Sequence, residues 1–331
     1  MTAPLRERID VAVAILQRPD GTVLWCQRPA GKPYAGYWEF PGGKLEEGET
    51  PWQALVREIH EELAIDVHEG GPWLLIEHDY PHALVRLHLY RVWSFSGEPQ
   101  SREGQAFAWD HLQPGNRTLV NPILPATEPV LQRLALPSLM VLSDIESIGL
   151  RSYCRKLLDF SAKHGAFLLQ FRDSGLSARE QVRALEWLLG VQTECEMRLM
   201  VHAQCEPMLD TVLSRQLSRL IGLHIPERLL ASDDPRLQRD RWGLQTASVH
   251  SAQAMQAAFS RGVDAMVLGT VLPTPSHEDG RACLGWAGFK ALTADTRLPV
   301  YAIGGQQPDF LPEARKLGAH GLAFKRALLL P

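Results

Sequence analysis

The chain has 331 residues, 45% of them hydrophobic and 22% charged, with a net charge of −4. That length suits two domains, and the composition is ordinary for a globular protein; the mild acidity speaks against a nucleic-acid binder, which carries a basic stripe. No stretch approaches the ~20 apolar residues of a membrane span, and the N-terminus has no signal-type apolar core. Cys26, Cys154, Cys195, Cys205 and Cys283 are scattered, with no CxxC pair. They fit reduced thiols in a cytoplasmic protein, not a disulfide framework or a zinc site.

Ile9–Leu16 reads as a buried strand, and Asp20-Gly21 as the turn into a second strand, Thr22–Gln27, so that the two form a hairpin. Arg28 follows directly on it. Phe40-Pro41-Gly42-Gly43 is a stretch that can approach a ligand closely, because glycine imposes no side-chain clash. Thr50-Pro51-Trp52-Gln53 then reads as a helix start: threonine at the N-cap, proline at the first helical position and glutamine closing a capping box. Leu55, Ile59 and Leu63 give that helix one apolar face. Glu58, Glu61 and Glu62 fall at i, i+3 and i+4 and crowd together on another face. Like charges at this spacing destabilise a helix by a few tenths of a kcal/mol per pair. A hard divalent cation reverses the sign by taking the carboxylates as ligands. Glu49 ahead of the helix and Arg57 within it are placed to pair and orient them.

Trp73–Tyr80 and Leu84–Val92 read as strands, the second alternating so that it covers one face. His78, His82 and His88 match no metal-ligand spacing and are expected at the surface or a pocket rim. Ser101-Arg-Glu103-Gly-Gln105 is a loop before a strand holding Trp109. Leu136-Pro137-Ser138 is a short junction between domains 1–134 and 138–331. Beyond it strands alternate with helices such as Ala178–Leu189 and Ala252–Ser260. The strands read at Ser138–Leu142, Ala166–Phe171, Met197–His202, Leu220–Ile225, Trp242–Ala247, Ala265–Gly269, Val300–Ile303 and Gly321–Phe324. Eight such units imply a compact parallel (β/α)8 barrel with any site at the strand ends.

The segment Gly43–Ile65 resembles the Nudix box, G-x5-E-x7-R-E-U-x-E-E-x-G-U with U aliphatic, and departs from it only at Ala64, where the last glycine is usual. Residues 1 to about 134 are similar to the MutT branch of that family. The resemblance implies an α/β/α sandwich with a mixed sheet. It also implies a nucleoside triphosphate pyrophosphohydrolase that releases a monophosphate and pyrophosphate, with 8-oxo-dGTP, and so nucleotide-pool sanitation, as the expected substrate. Mg²⁺, or Mn²⁺ in its place, is then expected on Glu58, Glu61, Glu62, Glu103 and the Gly42 carbonyl. Glu58 is expected as proton acceptor, Glu103 being next in line, with Glu49 and Arg57 in support. Arg28, Glu39, Phe40, Pro41, Gly42 and Thr127 are expected to bind substrate. Thr127 stands where MutT relatives carry a base-reading asparagine, and a hydroxyl cannot offer the same two-point contact. A second reading gives this domain a thiamine-related pyrophosphate, with Trp38 and Trp52 either stacking on its ring or simply packing.

Gln170-Phe-Arg172, Gly222-Leu-His224, Ser248-Val-His250-Ser251, Gly269–Pro275, Ala302-Ile-Gly304-Gly305 and Gly318–Gly321 match, in order, thiamine phosphate synthase and its relative the TenI-type thiazole tautomerase. That family cradles a phosphate on glycine-loop amides. The synthase's metal-binding aspartates have no counterpart in His202-Ala203-Gln204 or Ile225–Leu229, and His277 replaces an expected lysine. Synthase activity is therefore not expected. His250 matches the proton-transfer histidine of the tautomerase. A barrel holding a phosphorylated thiazole or thiamine ligand through Gln170, Arg172, His250, Gly304 and Gly305 is expected, as tautomerase, ligand sensor or inert binder.

Overall fold

The computed structural model describes residues 8–81, 83–112, 118–274 and 282–328; His82 and His277 lie outside the described residues. The chain divides between Leu136 and Pro137 into two compact units. No helix among the described residues is long and apolar enough to cross a membrane.

The first unit is built on β1 (Arg8–Leu16). Its residues are apolar on both faces, and both faces are used. Ala12, Ala14 and Leu16 join Leu24, Cys26 and Val92 under helix α1 (Pro51–Leu63), whose Ala54, Leu55, Ile59 and Leu63 are all fully buried. Val13 and Ile15 point the other way, into a core with Trp25, Phe40, Leu74, Leu89 and Val130 and Leu131 of helix α2 (Glu128–Leu134). The layering is thus α/β/α. Burying Leu55, Ile59 and Leu63 stabilises α1 by roughly 1.5–3 kcal/mol each, which overwhelms the few tenths per pair by which its acidic face opposes it.

Both edges of β1 are occupied: β4 (Gly42–Lys44) pairs antiparallel and β6 (Leu84–Ser96) parallel, and β5 (Asp66–Asp79) completes a mixed sheet in the order β4-β1-β6-β5. This corrects the expected hairpin. β2 (Val23–Gln27) meets the first strand only at the bridge Gln17–Val23 and then leaves for a separate sheet, between β3 (Trp38–Glu39) and β7 (Phe107–Asp110). The turn at Gly21 forms as expected, with φ +87°, but the edge a hairpin partner would need is already taken. β5 begins seven residues before the expected Trp73, because its first half, through Gly70-Gly71-Pro72, is polar, exposed and bulged and carries no apolar signal.

The second unit is a closed barrel of eight parallel strands, in the order β10-β11-β12-β13-β14-β15-β8-β9. They are β8 (Leu139–Leu142), β9 (Phe167–Phe171), β10 (Met197–His202), β11 (Gly222–Ile225), β12 (Gln245–Val249), β13 (Ala265–Leu268), β14 (Val300–Ile303) and β15 (Gly321–Phe324). Helices α3 (Ile145–Ile148) to α9 (Leu311–Lys316), among them α5 (Ala178–Glu194) and α7 (Ala252–Arg261), lie between the strands. The crossover from β11 to β12 has no α-helix; three short 3-10 turns, Glu227–Leu229, Pro235–Leu237 and Arg239–Arg241, replace it. This shifts β12 from the expected Trp242–Ala247. Trp242 is fully buried, but as a plug whose Nε1–H donates to the Arg236 carbonyl at 2.8 Å.

Candidate active site

The acidic face of α1 is set by the two ends of that helix. At its start Thr50 accepts the Gln53 amide at 3.3 Å while the Gln53 side chain takes the Thr50 amide at 2.9 Å, a complete capping box. At its end Ala64 adopts the left-handed conformation (φ 58°) that the usual glycine would take without strain. Three of the helix's C-terminal carbonyls, those of His60, Glu62 and Leu63, accept bonds from the segment 100–105. Gln100 N–H donates to Leu63 O at 2.8 Å, Arg102 Nη1 to His60 O at 3.1 Å, and Gln105 Nε2 to Glu62 O at 3.0 Å. Buried Gln105 also accepts the Glu103 amide, at 2.9 Å. One side chain thereby fixes Glu103 next to Glu62.

Arg57 organises the remaining acids. It donates a fork to Glu49 (2.8 Å to each oxygen), reaches Glu58 at 2.9 Å and Glu61 at 3.5 Å, and donates to the Lys44 carbonyl at 3.1 Å. The fork holds the Glu49 carboxyl down at about 2. Glu58 packs so tightly over Gly43 that a Cβ there would collide with its carboxylate. Burial, and after it the charges of Glu103, Glu58 and Glu39, push Glu62 up to about 7.

A cavity of about 610 Å³ brings together Gly42, Glu58, Glu62 and Glu103 with Arg28, Glu39, Phe40, Pro41 and Thr127. Arg28 is not free: it donates to Glu39 at 2.5 Å and to the Pro33 carbonyl at 2.8 Å. Burial raises Glu39 and Arg28 opposes that. Thr127 is buried at the N-cap of α2, where its hydroxyl makes no capping bond. Glu61 is the outlier: it stays exposed and does not line the cavity. Neither Trp38 nor Trp52 lines it, which corrects the expected stacking. Trp38 packs on the core, and Trp52 on Tyr90 (ring centroids 5.4 Å). The aromatic wall is made by Tyr34 and Tyr80 instead, 5.4 Å apart.

No three His, Cys, Asp or Glu side chains among the described residues stand in a ready-made metal cage. The donor set nevertheless fits a hard divalent cation. It is all carboxylate and carbonyl oxygen, and Glu62 sits buried among other acids with a charge that a cation would relieve.

At the C-terminal mouth of the barrel, His224 is sealed: Nδ1 pairs with Thr246 Oγ1 and Nε2 with Ser248 Oγ, each at 2.8 Å. His202 stacks on it, centroids 5.3 Å apart, and its Nδ1 accepts the Gln204 amide at 3.2 Å. Burial, then the charges of Arg172 and Arg228, hold His202 down at about 4. Gln170 is buried in β9, and the Arg172 amide donates to Ser143 Oγ at 2.8 Å. His250 is exposed and engaged at Nδ1 with Glu227, 2.6 Å away. Gly304 and Gly305 have positive φ, and a Cβ on either would strike Thr270 or Leu272, so close loop packing already requires glycine there.

Residues 7–118 match the NUDIX domain profile and residues 140–328 that of thiamine monophosphate synthase (TMP-TENI). The chain belongs to both families. Over 124 residues it is 40% identical to the CTP pyrophosphohydrolase of Escherichia coli (strain K12), covering 38% of this chain and 89% of that one. It is 34% identical over 128 residues to the 8-oxo-dGTP diphosphatase of the same strain, covering 39% and 97%. Over 167 residues it is 29% identical to the thiamine-phosphate synthase of Lactococcus lactis subsp. cremoris (strain MG1363), covering 49% and 72%. The first part is a Nudix hydrolase domain acting on pyrophosphate bonds, related to the 8-oxo-dGTP diphosphatases; the second is a thiamine-phosphate synthase/TenI-type barrel.

Within the Nudix domain, Lys32, Tyr34, Tyr80 and Gln105 also line the cavity and had no role assigned from sequence. Only Gln105 left a trace there, through its place in the Arg-Glu-Gly-Gln loop. Tyr34 gave none, since its left-handed backbone (φ 60°) belongs to a loop with no periodicity.

Proposed function

We propose that the Nudix domain is a Mg²⁺-dependent nucleoside triphosphate pyrophosphohydrolase whose substrate is 8-oxo-dGTP, releasing the monophosphate and pyrophosphate. The observation that carries this is one cavity lined both by the Nudix carboxylates and by a Tyr34–Tyr80 aromatic wall with Leu124, Ala126 and Thr127, an arrangement that suits a polyphosphate joined to a flat ring. Glu58, Glu62, Glu103 and the Gly42 carbonyl would hold Mg²⁺ or Mn²⁺, with Glu61 at the rim. When bound, the ion supplies positive charge against the phosphate chain and makes water more acidic. Glu58, oriented by Arg57 and backed against Gly43, accepts the proton of the attacking water. Arg28 and Glu39, already paired, present a fixed donor–acceptor edge to the substrate.

The test compares kcat/KM for pyrophosphate release from 8-oxo-dGTP, dGTP, CTP and thiamine pyrophosphate. A preference for 8-oxo-dGTP over dGTP of about tenfold or more, the scale of one net hydrogen bond, supports the reading. CTP as best substrate replaces it with a pyrimidine nucleotide. Glu58→Gln should abolish turnover and leave the fold intact; activity within a few fold of wild type sinks its assignment.

Fusion to a thiamine-phosphate synthase/TenI-type barrel favours a second reading, in which the Nudix domain cleaves a thiamine-related pyrophosphate. The barrel then binds a phosphorylated thiazole or thiamine through Gln170 and Arg172 without synthase activity, its mouth carrying His202-Ala203-Gln204 and Ile225–Leu229 where the synthase has its metal-binding aspartates. His250, oriented by Glu227, is the candidate for proton transfer. Thiamine pyrophosphate as best substrate would decide for this reading.

A further inference from the structure

Arg28, Lys32 and Lys44 line the cavity and Arg57 stands beside it; of these, Arg28, Lys32 and Arg57 are engaged with carboxylates, in different ways. Arg28 is locked to Glu39 and the Pro33 carbonyl, and Arg57 to three carboxylates and the Lys44 carbonyl. Among the described residues the Lys32 ammonium makes one hydrogen bond, to Glu103 Oε2 at 2.8 Å, and both of these side chains are about half exposed. The two are 71 positions apart and meet because their loops are anchored separately. The Arg28 amide donates to Tyr37 O at 2.8 Å and the Gly36 amide to Arg28 O at 2.9 Å, closing the Lys32 loop, while Gln105 pins the loop of Glu103. The fold therefore sets an ammonium on one of the carboxylates expected to hold the metal.

An ammonium donating to a carboxylate and a divalent cation compete for the same oxygen lone pairs, and their charges repel. A half-exposed lysine–carboxylate pair is weak, so a divalent ion can displace it at little cost. The released ammonium is a compact charge with three donors on a flexible stem, suited to phosphate oxygens, and Lys32 lines the cavity. We propose that Lys32 is an exchangeable counter-ion: it occupies Glu103 in the ligand-free protein, yields it to the metal, and then contacts the phosphate chain of the substrate. The proposal rests on the metal-dependent nucleotide reading of the Nudix domain.

The test measures Mn²⁺ affinity of the nucleotide-free, full-length protein by calorimetry or by the electron-spin signal of free Mn²⁺, and KM separately. Lys32→Met should tighten Mn²⁺ binding about two- to tenfold, the scale of one removed, partly screened competing charge, and should raise KM for the nucleotide. In a Glu103→Gln background Lys32→Met should leave Mn²⁺ affinity unchanged, because the shared oxygen is gone. Tightening that persists in that background means general charge repulsion and overturns the exchange. So does unchanged Mn²⁺ affinity in Lys32→Met, or an unchanged KM. A wild-type protein that binds no Mn²⁺ overturns the metal-dependent reading itself, and the exchange with it.

Discussion

Arg57 does the work of several residues because a guanidinium offers five donors in a fixed plane. It satisfies Glu49 with two parallel bonds and uses what remains on Glu58, Glu61 and the backbone of the Gly43–Lys44 strand. A lysine can supply the charge but not the fork. Arg57→Lys is therefore expected to lower kcat by about a hundredfold, the cost of roughly an ångström of misplacement at a reacting group, with a much smaller change in KM. Steady-state kinetics on the best substrate would show it, and a kcat within threefold of wild type would deny Arg57 its orienting role. Ala64 makes the opposite kind of prediction. Its left-handed backbone costs an alanine roughly 1–2 kcal/mol that a glycine does not pay, while glycine adds about 0.4–1 kcal/mol of unfolded-state entropy. Ala64→Gly should thus leave activity alone and stabilise the first unit by up to about 1 kcal/mol, seen as a rise of a few degrees in its thermal transition.

The element that matters most is the segment 100–105, a piece of irregular chain acting as the C-terminal cap of α1. Gln105 is its rivet, bonded to Glu62 O and to the Glu103 amide while itself buried. Gln105→Leu keeps the volume, leaves the Glu103 amide without its acceptor and leaves Glu62 O only the Arg102 amide at 3.3 Å, so a loss of about 1–3 kcal/mol is expected by denaturant titration. Because Glu103 loses its anchor, the same variant should bind Mn²⁺ more weakly; unchanged binding would show that Gln105 only stabilises. The start of helix α1 was legible from sequence to the residue, because capping box, proline and apolar period all act locally. The β1–β2 pairing was not, since strand pairing depends on which edges distant strands occupy, and β6 pairs with β1 from 76 positions away (Arg8 with Leu84). Of the acids of the cavity, Glu58 and Glu62 could be read from their spacing, which also offered the exposed Glu61, whereas Glu39 and Glu103 came from the resemblance. Lys32, Tyr34 and Tyr80 could not be read, because loops without period bring them there. Trp38 and Trp52 misled for a related reason: nearness in sequence to the box says nothing about which face of a strand or helix they occupy.

At the scale of the molecule, the two units carry their polar groups differently. The Nudix cavity gathers charge, whereas the barrel mouth buries two histidines as neutral rings. His202, at about 4 in the folded barrel against 6.5 ordinarily, stays neutral while the unfolded chain takes up a proton. Its contribution is present above pH 6.5 and is lost as pH falls toward about 4, amounting to roughly 3 kcal/mol at most; His224 acts with the same sign. Urea melts of the barrel between pH 7.5 and 4.5 should therefore lose stability steeply, and less steeply in His202→Gln. An equal slope in the two proteins would mean that His202 is not held neutral. The barrel itself was legible as eight β/α repeats, each strand a short apolar run, and only the helix-free crossover between β11 and β12 disguised a boundary. One feature of the first unit bears on how the chain comes to be made. β1 leaves the ribosome well before its full-length partner, β6, which is parallel to it and starts only at Leu84. At ordinary translation speeds the apolar run Ile9–Leu16 waits roughly four to fifteen seconds with only the three residues of β4 to shield one edge. The strand on which both cores of the Nudix domain are laid is thus an apolar segment exposed to aggregation until β6 has been made.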